Sequence, residues 1–164
     1  MNKNIDKTLK LTEHFSLSEM CSTSVQTADH NFPSQEVITN LRRLCGWLEA
    51  LRAYPDPPKG REKSLQGGSG SPIYINSGYR SPAVNKAVGG VATSNHLTGC
   101  AADIRCTGLE QALRYAAYLL DISKERGESF DEIIIEHRVK TGNYWVHFAV
   151  RASGNRRKVA FKRV

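Results

Sequence analysis

Ten consecutive residues constrain this chain more than any others: Ser94-Asn95-His96-Leu97-Thr98-Gly99-Cys100-Ala101-Ala102-Asp103. The glycine lets the backbone turn back on itself. His96 before the turn and Asp103 after it can then converge on one point. From Cys100 the chain reads as a strand. Period two puts Ala101, Asp103 and Arg105 on one face, with Cys100, Ala102, Ile104 and Cys106 directed into a core. The small residues before Asp103 leave room for a close approach.

A second stretch, Tyr144-Trp145-Val146-His147-Phe148-Ala149-Val150, places His147 mid-strand among apolar neighbours. His96, Asp103 and His147 together offer two nitrogens and one oxygen. That donor set suits one Zn²⁺ ion with a fourth position left open. A base is then expected nearby, and Glu136 closes the other arm of a hairpin turning at Thr141-Gly142-Asn143. A two-residue turn puts Glu136 diagonal to His147, and a four-residue loop puts it directly opposite. A three-residue loop would turn it to the other face and bring His137 over. Arg80, in the strand-end turn Ser77-Gly78-Tyr79-Arg80-Ser81-Pro82, can bind a carboxylate or an oxyanion beside a metal.

Around these stretches the pattern predicts an α+β fold, a small and largely antiparallel sheet flanked by helices. A capping box at Ser16 and Glu19 opens a short helix. Val37, Leu41, Leu44, Leu48 and Leu51 share one face of a helix over 34–53. Strands are expected at Ile73–Asn76, Ala101–Cys106, Ile133–Glu136 and Tyr144–Val150, with a last one near Val159–Phe161. A short helix follows Pro82. A longer one behind a capping box at Thr107–Glu110 would bury Leu109, Leu113, Ala116, Ala117 and Leu120. Residues 1–13 read as a polar lead-in and 14–164 as a single domain with a flexible loop at 55–72.

Of 23 basic residues, six lie in the segment 151–164, which holds no acid; the rest of the chain is almost neutral. Such a segment is either a solvated terminal strand or a contact for an anionic wall polymer. Nucleic acid is the weaker partner, since no recognition motif accompanies the charge. No run reaches the roughly 20 apolar residues of a spanning helix. The polar opening lacks the apolar stretch of a secretory signal. The expectation is synthesis in the cytoplasm, with any action outside it depending on release or export by other means. The four cysteines form no CxxC pair and read as buried free thiols. A monomer is expected.

Ser-Gly-Tyr-Arg-Ser-Pro followed by Asn85, then Ser-x-His-x-x-Gly-x-Ala-x-Asp, then Trp-Val-His, resembles the zinc D-alanyl-D-alanine carboxypeptidase family over about residues 14–150. Its members include cell-wall peptidases and phage endolysins, and its fold is shared with the hedgehog signalling domain. The resemblance implies His96, Asp103 and His147 as zinc ligands, Arg80 as the substrate and oxyanion partner, and Ser94 near the substrate. Several members carry the catalytic acid three residues before the last histidine, where this chain has Tyr144. A branch of small members, which this chain resembles most, carries a glutamate at the end of the preceding strand, matching Glu136. The implied activity is hydrolysis of peptidoglycan stem peptides, at D-Ala-D-Ala or at L-Ala-D-Glu. The alternative is a non-catalytic zinc module in wall binding or in a phage particle.

Overall fold

The computed structural model describes residues 6, 8–54 and 71–164. In chain order they form α1 (Leu17–Met20), α2 (Gln35–Ala53), β1 (Ile75–Ser77), α3 (Pro82–Ala87), a 3-10 turn (Asn95–Thr98), β2 (Ala101–Cys106), α4 (Leu109–Arg126), β3 (Glu132–Arg138), β4 (Asn143–Ala149) and β5 (Lys158–Arg163). The five strands make one sheet in the order β1-β2-β4-β3-β5. The fold is α+β, as the sequence predicts. Three strand pairings are antiparallel, and β3–β5 is parallel.

Ser34 caps α2 by accepting from the Val37 amide, and the helix buries Leu41, Leu44, Leu48 and Leu51 as expected. Trp47 of α2 meets Phe148 of β4 with ring centroids 5.4 Å apart. The core face of the sheet supplies Ala102, Ile104, Ile133, Ile135, Val146 and Phe148. The two long helices, α2 and α4, pack on that side, and the opposite face of the sheet is left for chemistry.

Four expectations need correction. The buried stripe of α4 is Ala112, Tyr115, Ala116, Leu119 and Ile122, while Leu109, Leu113 and Leu120 are exposed. The helix start is Gly108 with no side-chain cap; Gln111 Oε1 instead accepts from the Thr107 amide at 2.8 Å. The hairpin loop is Val139–Gly142, because Arg138 pairs with Asn143. Within the expected lead-in, Leu11 is buried and its carbonyl accepts from Arg42 Nη1 at 3.0 Å. The loop expected at 55–72 lies, apart from Ser71 and Pro72, outside the described residues.

The connection from β4 to β5 passes across the start of β3. Asp131 sits fully buried under that crossing. Its carboxylate takes Arg156 Nε at 2.9 Å and Nη2 at 2.7 Å, and Arg151 Nη2 at 3.1 Å. Arg156 and Lys158 also reach Glu132 Oε1, at 3.1 and 3.2 Å. With Lys162 3.8 Å from Glu136, four of the six basic residues of the C-terminal segment are paired with acids of the same chain rather than free for a polyanion.

Candidate metal centre

One row across the open face of the sheet organises the site. Ser77 of β1 pairs with Asp103 of β2, Asp103 with His147 of β4, His147 with Ile134 of β3, and Ile134 with Ala160 of β5. The flanking rows carry the charge. On one side run Ala149, Glu132 and Lys158; on the hairpin side run Arg105, Trp145, Glu136 and Lys162. The row lies in a groove of about 850 Å³ lined on its far walls by Ser22–Val25 and Val88–Val91.

His96 enters from the 3-10 turn. Ser94 caps that turn, its Oγ accepting from the His96 amide at 3.3 Å. The turn closes on Gly99 at φ +70°. A side chain at 99 would be strained there and would also meet Val37 Cγ1 at 2.8 Å. The His96 ring donates from Nδ1 to the Gly78 carbonyl at 2.6 Å. A carbonyl can only accept, so Nδ1 carries the proton and Nε2 presents its lone pair. Gly78 is itself confined: a Cβ there would strike the Met20 carbonyl. The Ser-Gly turn thus fixes both the ring and its tautomer.

His96 Nε2 lies 3.3 Å from Asp103 Oδ1, and His147 Nδ1 lies 3.0 Å from the same oxygen. The three donor atoms fall within 4.8 Å of one another and are buried. Burial alone would push the Asp103 carboxyl up, but the two imidazoles outweigh it and hold the group well below the usual carboxylate range. Burial likewise pushes His147 down, and Asp103 and Glu132 more than reverse this, raising it to about 9. Two imidazole nitrogens and one carboxylate oxygen, converging at a groove wall, fit a single zinc with an open position. Among the described residues no other set of histidines, cysteines and carboxylates converges this way.

Arg80 reaches the same point. Its Nε donates to Ser77 Oγ and its Nη2 to Asp103 Oδ2, both at 2.8 Å. Asp103 Oδ2 is thereby occupied and Oδ1 is the oxygen turned toward the imidazoles. Ser94 lines the groove as well as capping the turn.

Glu136 lies on the face of His147, two rungs away along β3, and lines the groove. The register differs from each arrangement considered from the sequence: Ile134, not Arg138 or Glu136, stands opposite His147. Glu136 is diagonal on the hairpin side, and its ion pair is with Lys162 at 3.8 Å. On the other diagonal stands Glu132, which the sequence reading missed. Its Oε2 is 3.4 Å from His147 Nε2. The signal was present, because period two from Ile134 reaches 132 as readily as 136. The sequence pattern starts the strand at Ile133, one residue after its first residue in the structure, Glu132. His14 and His137 have other work: His14 Nδ1 pairs with Glu49 at 2.8 Å, and His137 stacks on Tyr144.

No curated protein matches the chain. A family model described as Peptidase M15 does match, over residues 62–132, a little under half of the chain; His147 lies outside that span. The matched span holds Arg80, Ser94, His96 and Asp103, and the similarity to this zinc-dependent peptidase family, together with the His96-Asp103-His147 cluster, supports a zinc metallopeptidase.

Proposed function

We propose that the protein hydrolyses peptidoglycan stem peptides, at D-Ala-D-Ala or L-Ala-D-Glu, and acts at the cell wall. The observation that carries this reading is the convergence of His96 Nε2, Asp103 Oδ1 and His147 Nδ1 in a groove that also contains Arg80 and Glu136. A zinc ion held by that set supplies Lewis acidity and an activated water at neutral pH. Glu136 is the general base. Its weaker engagement at 3.8 Å leaves it free to accept a proton and return it to the leaving amine. Arg80 holds the substrate carboxylate or the developing oxyanion from its anchorage on Ser77 and Asp103. Ser94, at the lip of the turn, borders the bound peptide.

The test is digestion of purified muropeptides with and without a chelator, read by mass spectrometry. A chelator-sensitive product is expected, its mass naming the bond, and His147→Ala is expected to abolish it. Full activity in His147→Ala would sink the zinc assignment. Zinc-loaded protein that turns over no muropeptide points instead to a non-catalytic wall-binding or phage-particle module.

A further inference from the structure

Resting on the zinc reading above, we propose that Glu132 is a positioning residue. It fixes the His147 imidazole by accepting from Nε2, so that Nδ1 is presented to the metal, and the C-terminal strand holds Glu132 in place. The two histidines present opposite nitrogens, and each needs its outer nitrogen held. His96 is held at Nδ1 by a backbone carbonyl. His147 sits mid-strand with Nδ1 toward Asp103, so its outer nitrogen is Nε2, and the acceptor within reach is Glu132 Oε2 at 3.4 Å. A carboxylate without a proton can only accept, which assigns the hydrogen to Nε2 and the lone pair to Nδ1.

Glu132 is held from three directions. Arg156 Nη2 and Lys158 Nζ meet Oε1 at 3.1 and 3.2 Å. Asn95 Nδ2, from the residue before His96, meets Oε2 at 3.1 Å. The same Asn95 amide donates to Asp131 at 2.7 Å, and its Oδ1 accepts from Arg151 Nε at 2.9 Å. One network therefore ties the element carrying His96 to the acid behind His147, and closes through β5. A carboxylate so fully engaged is poorly placed to carry protons during turnover. This separates Glu132 from Glu136, whose one ion pair among the described residues is the loose contact with Lys162.

The test loads the full-length protein with Co²⁺ and records its visible absorption, then measures Zn²⁺ affinity by competition with a chromophoric chelator. Wild type should take up one equivalent. Glu132→Ala should lose about 10–100-fold in zinc affinity and show an altered cobalt spectrum. Glu132→Gln keeps the size and an accepting oxygen. It should retain a near-native spectrum with a smaller loss, and it decides the matter if the alanine variant fails to fold. Variants that match wild type in both affinity and spectrum overturn the proposal. So does unchanged metal binding with collapsed turnover, which would make Glu132 a reacting group. A wild type that takes up no cobalt or zinc takes down the metal reading itself, and this one with it.

Discussion

Glu132 and Glu136 stand one on each side of the same histidine, and their surroundings give them opposite chemistry. The bond from His147, with Lys158 of β5 and Arg156 just before it, holds Glu132 down to about 2, so it stays ionised and fixed. Among the described residues, Glu136 has only the distant ammonium of Lys162. Glu136→Gln is expected to lower kcat by about 10²–10⁴-fold while leaving zinc affinity unchanged, as turnover and chelator competition on the same preparation would show. Intact turnover would place the base elsewhere. His96, Asp103 and His147 were legible from sequence because a turn glycine and strand periodicity are local signals. The proximity of Glu132 to His147 was not, because it depends on where the 139–142 loop sets the register, a choice between rungs that local sequence does not determine.

At the scale of elements, the Ser94–Asp103 unit works because a 3-10 turn, a left-handed glycine and a strand follow without a spare residue. Gly99→Ala combines an unfavourable φ with a clash against Val37. It is expected to destabilise the protein by about 1–3 kcal/mol, measured as a lowered denaturation midpoint. α2 was readable because its apolar stripe, Val37 to Leu51, is unbroken over about four turns. In α4 three leucines, Leu109, Leu113 and Leu120, are outside, while Leu119 and Ile122 are buried with Ala112, Tyr115 and Ala116. Helix existence was therefore plain while its facing was not: two apolar stripes run along it, and the one carrying Tyr115, Leu119 and Ile122 is the buried one.

For the molecule as a whole, Asp131 is the pin between the body and the C-terminal strand. Burial alone would raise its pKa, yet bonds from Arg156 and Asn95 outweigh that and lower it. A carboxyl lowered on folding contributes stability that is present above its ordinary value, near 4, and is lost as pH falls through its folded value. Denaturation midpoints are expected to drop below about pH 4 in the wild type. Asp131→Asn should remove part of that acid limb and cost about 1–3 kcal/mol at neutral pH, because two partly exposed arginines lose a shared charged acceptor. An unchanged acid limb would mean that other carboxyls set it. The basic character of residues 151–164 was evident from composition. Its destination was not, since the acids that receive it lie some twenty residues upstream, beneath a crossing that only the sheet order creates.

β5 is paired on one side only and almost all of its residues are exposed. An edge of that kind opens and closes many times before the rest of the sheet gives way. Each such fraying event would release Lys158 from Glu132 and slacken the support of His147 while the helices and the inner strands stay folded. The residence time of an ion in the groove would then follow amide exchange in the last strand rather than global melting, and the protein would lose its chemistry at temperatures where it is still folded.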